Sequence, residues 1–291
     1  MTSCPYCDGG LSAVGERLGF TVGICASCGS LACLDDVGED VLADLYGDPG
    51  YYTGGRPPYG YDGDLDRNDV QRTPVWEQRL RALAGLTGGR RLLELGPGRG
   101  GFLRLAQARG WEVAAVDPYP AAGLTAFSSV HPTLEAAATA GPFDAVCLFD
   151  VLEHVLRPAA LLGGVVDVLA PGGAVAVGLP SLDGPSFRAQ GVTWAEVKPP
   201  EHLSLPTAAG MRAVAARAGL RVVTVLGHFA ETWLWEPMRP YIDPRRSTGA
   251  LGAATVLGAR VLNRGVREVR TRLPAPPPER QDYVTWLLAR A

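Results

Sequence analysis

The chain has 291 residues, 47% of them hydrophobic and 20% charged, with a formal net charge of −3. It can fill one large core, alone or with a small appendage, and it is not broadly disordered. A mildly acidic balance argues against a broad basic surface for duplex DNA or RNA.

The first residues, Met1-Thr2-Ser3, run straight into Cys4 without a basic start or an apolar run, so a soluble, cytoplasmic protein with no membrane partner is expected. The most apolar late segment, 249–262, contains Arg260 and is too short to span a bilayer. Five of the six cysteines fall within the first 33 residues. In a reducing compartment such clusters bind metal more often than they pair as disulfides. Cys4 and Cys7 form one CxxC hook, and Cys25 and Cys28 form another after seventeen residues. Each hook points two thiolates at one ion, and two hooks complete a tetrahedron, so 1–34 is read as a zinc ribbon holding structural zinc. The stretch from Gly10 to Gly23 reads as its hairpin. Cys33 and the distant Cys147 read as buried core residues.

Residues 35–74 read as a tyrosine-rich linker or lid. Val41, Leu42 and Leu45 suit a short helix. Tyr46, Tyr51, Tyr52, Tyr59 and Tyr61 then stand among glycines and prolines too frequent for regular structure. Two readings stay open: a loop packing its rings on the domain, or a lid whose aromatic faces attract a cationic ligand. A helix follows from about Asp69 to Leu86, with Trp76, Leu80, Leu83 and Leu86 on one stripe.

From residue 90 strands and helices alternate as in a doubly wound α/β sheet. Strands are expected at Arg91–Leu95, Trp111–Asp117, Ser128–His131 (weak), Phe143–Asp150, Ala174–Leu179 and Leu220–Phe229. Helices are expected at Phe102–Arg109, near Ala121, at Pro158–Leu169 and at Thr207–Gly219. Tyr283–Ala289 is a seventh strand or a helix. An insertion at 231–281 carries arginines from Arg260 to Arg272 and a proline cluster. It is expected either to close the site or to pair two copies as a homodimer. The core domain is thus 75–291.

Gly96, Gly98 and Gly101 after the first strand match a nucleotide-binding fingerprint, which alone is weak. Asp117 stands at the end of the second strand, about twenty residues on, where an acid reaches a ribose hydroxyl. By itself this fits two kinds of cofactor. Glu94 stands two residues before Gly96. The fourth strand runs into Asp150-Val151-Leu152-Glu153-His154-Val155, and Leu169-Ala170-Pro171-Gly172-Gly173 precedes strand five. Beyond strand five, Glu201-His202 sits in a proline-framed loop, a suitable general base and its partner. The plainer reading there is a loop anchor.

Taken together, Glu94-Leu95-Gly96-Pro97-Gly98-Arg99-Gly100, Val116-Asp117, Phe143-Asp144-Ala145-Val146, Asp150 to Val155 and Leu169 to Gly173 resemble the class I S-adenosylmethionine-dependent methyltransferases over about 75–229. The resemblance implies a Rossmann-like, seven-stranded sheet. It implies that Gly96, Gly98 and Gly100 pack on the methionine part of S-adenosylmethionine, with Glu94 and Asp150 on the cofactor side. Asp117 would hold the ribose, and Thr133 and Leu134 would flank the adenine. With the four-cysteine ribbon, the tyrosine linker and Glu201-His202, the chain is also similar to the front part of sugar C-methyltransferases acting on nucleotide-linked deoxysugars. That likeness implies that Glu201 and His202 activate or position the acceptor.

The leading expectation is methyl transfer to oxygen or carbon of a small molecule, in secondary-metabolite or sugar biosynthesis. The alternatives are an RNA methyltransferase whose ribbon grips its substrate, or a non-catalytic S-adenosylmethionine-binding protein. Residues 1–50 carry only Arg17 as a basic residue, which makes a nucleic-acid partner the weaker choice.

Overall fold

The computed structural model describes residues 3–52, 58–60, 65–228 and 277–291. Its strands are β1 (Leu11–Arg17), β2 (Phe20–Cys25), β3 (Leu31–Cys33), β4 (Arg91–Leu95), β5 (Glu112–Val116), β6 (Val130–His131), β7 (Phe143–Phe149), β8 (Leu169–Pro180), β9 (Ser204–Leu205), β10 (Leu220–His228) and β11 (Tyr283–Arg290). Its helices are α1 (Glu39–Gly47), α2 (Leu65–Leu86), α3 (Gly101–Ala108), α4 (Leu134–Ala138), α5 (Pro158–Val168), α6 (Pro185–Gln190) and α7 (Ala208–Arg217).

Seven strands form the main sheet in the order β10-β11-β8-β7-β4-β5-β6. β4 pairs in parallel with β5 and β7, and β7 with β8, while β11 runs antiparallel between β8 and β10. Central parallel strands are covered on both faces, which is why β4 and β7 read as continuous apolar runs. Leu92, Leu93, Val146, Cys147 and Leu148 are all fully buried. The apolar run of β11 is the same case, with Val284, Trp286, Leu287 and Leu288 buried. This settles the open choice at the C-terminal end in favour of a strand. The chain leaves β4 toward β5 on one side and reaches β7 on the other, so the order reverses between β4 and β7. Ligands bind at such a reversal, beyond the carboxyl ends of the strands.

Several local expectations shift. The third strand shrinks to the two residues of β6, although Ser129 O still accepts from Ala115 N–H of β5 at 2.9 Å. β8 starts at Leu169 rather than Ala174, carrying a register shift opposite Phe143 to Ala145. The helix near Ala121 is a 3-10 segment, Ala122–Ala126. Leu86, expected on the buried stripe of α2, is 37% exposed at the helix end. The stretch expected as a 231–281 insertion lies outside the described residues up to 276, and Phe229 with it. Residues 278–280 form a 3-10 turn, and Gln281 is buried. No helix among the described residues is long and apolar enough to cross a membrane.

The ribbon is not a free appendage. Its three strands are completed by β9, which pairs Leu31 with Leu205 and Ala32 with Ser204. Cys33 N–H donates to Leu203 O at 2.8 Å, and the Ser204 hydroxyl donates to the buried Tyr6 hydroxyl at 2.9 Å. Thr207 caps α7 through Gly210 N–H and donates its own hydroxyl to Cys28 O. Val22, Leu31, Leu182, Trp194, Val197 and Leu205 share one apolar cluster across the junction. The ribbon therefore grips the segment that immediately follows Glu201-His202.

Candidate active site

Gly96 turns the chain out of β4 with φ +59°, and Gly100 opens α3 with φ +78°. Side chains are strained in this left-handed region. A Cβ on Gly96 would lie 2.7 Å from Val151 Cγ2, and one on Gly100 would lie 2.6 Å from Phe127 Cε2. The loop thus brings bare backbone to the carboxyl edge of β4, with Gly98 also at positive φ.

Glu94 lies just below it on β4, 4% exposed, with Oε2 lacking a hydrogen-bond partner among the described residues. Burial pushes its carboxyl up to about 8, and Arg79 opposes that rise. Arg79 comes from the buried face of α2. It donates from Nε to Thr285 Oγ1 at 3.0 Å and stacks 3.9 Å over the Phe149 ring. Burial lowers its guanidinium to about 10, against the raising influence of Asp150, Cys147 and Glu94. Arg79 was not singled out from the sequence. Its signal was present: an arginine beside Leu80 on the Trp76-Leu80-Leu83 stripe faces the core.

Asp117 ends β5 and is 6% exposed; its Oδ1 accepts from Tyr119 N–H at 2.8 Å. Burial raises its carboxyl, opposed by that hydrogen bond. Asp150 follows β7 at φ +57° and accepts the Tyr283 hydroxyl on Oδ1. Thr133 spends its hydroxyl on the N-cap of α4, accepting from Ala136 N–H at 3.2 Å. Leu134 packs against the main core cluster.

Glu201 and His202 are 3% and 5% exposed. Glu201 Oε1 accepts from the Tyr51 hydroxyl at 2.8 Å, and Lys198 Nζ lies 3.3 Å from Oε2. His202 Nδ1 is 2.7 Å from Glu196 O. Its ring meets His154 edge to face at 4.7 Å. His154 Nδ1 is 2.8 Å from the Tyr46 hydroxyl, which donates to Glu201 O at 3.2 Å. Burial, with Lys198 next in size, drives His154 down to about 3 and holds His202 well below its ordinary value. Burial and nearby Asp150 push Glu153 far above the usual carboxylate range. The loops after β7 and β8 are tied directly, since Leu203 N–H donates to Glu153 O at 2.8 Å.

Tyr46, Tyr51 and Tyr59 of the linker pack on these loops. Tyr46 stacks on Tyr119 at 6.4 Å, and the Tyr59 hydroxyl donates to Pro199 O at 3.1 Å. Tyr61 lies outside the described residues. The four expected metal ligands also converge: Cys4, Cys7, Cys25 and Cys28 offer sulfurs within 4.8 Å of one another.

A methyltransferase-domain profile matches residues 69–225, just over half of the chain. The chain belongs to that family. The match covers β4 to β8 with the glycine loop, Asp117, Asp150 and Glu201-His202, and stops short of the ribbon. Among solved structures, similarity extends to an S-adenosylmethionine-dependent methyltransferase from Archaeoglobus fulgidus, at 19% identity over 76% of this chain and 94% of that one, TM-score 0.46. It extends also to magnesium protoporphyrin IX methyltransferase from Synechocystis, at 13% identity over 66% and 94%, TM-score 0.49. The CcbJ methyltransferase from Streptomyces caelestis is 15% identical over 79% and 99%, TM-score 0.47. Such low identities say nothing about the acceptor. No curated protein sequence matches.

In this methyltransferase domain, Gly96, Gly98, Gly100, Glu94, Asp117 and Asp150 gather at the carboxyl ends of β4, β5 and β7. Glu201 and His202 meet them from beyond β8, through the loop that carries Glu153 and His154. Thr133 and Leu134 stand further along, after β6.

Proposed function

We propose that the protein transfers a methyl group from S-adenosylmethionine to an oxygen or carbon of a small molecule, with Glu201 taking the acceptor's proton and His202 positioning it. The observation that carries the reading is the burial of Glu201 and His202 against the loop that begins at Asp150, beside the point where strand order reverses. When bound, the cofactor supplies the electrophilic methyl group. The residues present suit it. Glu94 offers an unpartnered buried oxygen to an ammonium group, the Gly96 turn leaves room only for backbone, and Asp117 can accept from ribose hydroxyls.

The protein's own work is placement and proton removal. Tyr51 and Lys198 hold the Glu201 carboxylate from two sides, and its backbone carbonyl is held by Tyr46. The Glu196 carbonyl accepts from His202 Nδ1–H, which fixes the tautomer with its lone pair on Nε2. Burial of Pro199 through Ser204 keeps water from the Glu201 and His202 side chains.

The cysteine cluster suits structural zinc. Four thiolates about 2.3 Å from one ion stand roughly 3.8 Å apart. Cys4 and Cys28 sulfurs are 3.6 Å apart and Cys7 and Cys25 sulfurs 3.4 Å, too far for a disulfide. The ribbon then steadies β9 and, through it, Glu201-His202.

The test is product mass spectrometry with methyl-labelled cofactor and a panel of hydroxylated small molecules and nucleotide sugars. Wild type should label at least one acceptor, and Glu201→Gln should bind S-adenosylhomocysteine normally while labelling far more slowly. Undiminished turnover in Glu201→Gln refutes the base assignment.

A further inference from the structure

The two-histidine cluster beneath Glu201 has a composition that proton transfer alone does not explain. Glu153, His154 and His202 each bring one ligand-capable atom to within 4.8 Å of the others. Glu153 is 0% exposed, and neither of its carboxyl oxygens has a hydrogen-bond partner among the described residues. Buried carboxyl oxygens are paired, solvated or bound to metal in nearly all folded proteins. His154 Nε2 lies 4.0 Å from Oε1, which is beyond hydrogen-bond reach.

The outer partners decide which atoms face inward. The Glu196 carbonyl can only accept, so His202 Nδ1 carries the proton and Nε2 the lone pair. The Tyr46 hydroxyl donates to Glu201 O and lies 2.8 Å from His154 Nδ1; with Nδ1–H donating to that hydroxyl, the lone pair of His154 falls on Nε2. Two imidazole nitrogens and the Glu153 carboxyl then converge. Each histidine has its outer nitrogen anchored by an oxygen, the support found around metal-ligating histidines.

We propose that Glu153, His154 and His202 form a binding site for one divalent first-row transition ion, distinct from the cysteine site. Two imidazoles and one carboxylate form a donor set that keeps coordination positions open for water or substrate. An ion about 2.1 Å from each atom would draw them to roughly 3.0–3.4 Å apart, a contraction within reach of side-chain torsions. Local charge agrees in sign. Asp150, Glu153, Glu196 and Glu201 bring four carboxyl groups to this corner, and Lys198, 3.3 Å from Glu201, offsets one of them. What the ion does there rests on the methyl-transfer reading: it would polarise an acceptor hydroxyl or carbonyl oxygen while Glu201 takes the proton.

The test is titration of the full, zinc-loaded chain with Mn2+, followed by electron paramagnetic resonance. Manganese favours oxygen and imidazole donors and leaves the thiolate ribbon alone. Wild type should bind about one Mn2+ per chain, with spin-echo modulation from imidazole nitrogen. Glu153→Gln and His202→Gln should each weaken binding at least tenfold while circular dichroism stays unchanged. A wild-type chain that leaves the free Mn2+ signal intact, or binds it without nitrogen modulation, overturns the proposal and assigns the cluster to water alone. Because the wild-type spectrum answers the question, a variant that fails to fold does not spoil the test. Mn2+ binding without methyl transfer would sink the functional reading and leave the site standing; methyl transfer without Mn2+ binding would do the reverse.

Discussion

Glu94→Gln isolates the electrostatic cost built into the cofactor edge of the sheet. Glu94 is buried on β4, with one oxygen unpartnered among the described residues and Arg79 as its opposing charge. Its carboxyl is raised from 4.5 to about 8. The unfolded chain releases that proton near 4.5 and the folded chain only near 8, so folding binds a proton between those values. Stability is then highest below the lower value and falls as pH rises toward the upper one. At about 1.4 kcal/mol per unit the loss is on the order of 5 kcal/mol across the window. Glutamine keeps the shape and cannot ionise. Urea melts of both proteins at half-unit steps from pH 5 to 9 give the difference directly, which cancels every other titrating group. Glu94→Gln should gain on wild type steadily with rising pH. Parallel curves would show that Glu94 titrates normally and that its burial carries no such cost.

Gly96→Ala should lose about 2–4 kcal/mol in the same melts, from left-handed strain plus a contact 2.7 Å from Val151, and should weaken S-adenosylhomocysteine binding. Tyr51→Phe removes the hydrogen bond to Glu201 Oε1 and should lower kcat severalfold with cofactor affinity unchanged. Equal loss of both would place Tyr51 in general packing. Cys25→Ser should reduce tightly bound zinc, about one per chain in wild type, and should increase hydrogen exchange at Cys33, whose N–H donates to Leu203 O, and at Leu205, which pairs with Leu31 of the ribbon. A metal-free wild-type chain that keeps this protection would refute the zinc assignment.

Much of the main sheet was legible because parallel strands are short apolar runs between punctuating glycines, as at Leu92–Leu95 and Ala145–Phe149. The cysteine cluster was legible because ligand spacing is local. Tertiary pairings were not. Ser204–Leu205 is two residues long and has no strand pattern; only the exposed edge of β3 makes it a strand. Tyr51 on Glu201 joins positions 150 residues apart, which periodicity cannot reveal. Glu153-His154 stood in the chain only as part of the run from Asp150 to Val155. Their neighbour His202 arrives through the fold, and that meeting gives the cluster its chemistry. Arg79 was masked by the habit of reading arginine as exposed, although its place on the apolar stripe pointed inward.

The account turns on Asp117 and the glycine loop holding S-adenosylmethionine. Isothermal titration calorimetry of wild type and Asp117→Ala with S-adenosylhomocysteine tests it most directly. Wild type should bind one equivalent, and Asp117→Ala, still folded, should lose at least a hundredfold in affinity. No binding to wild type, or equal binding to both, would contradict the account.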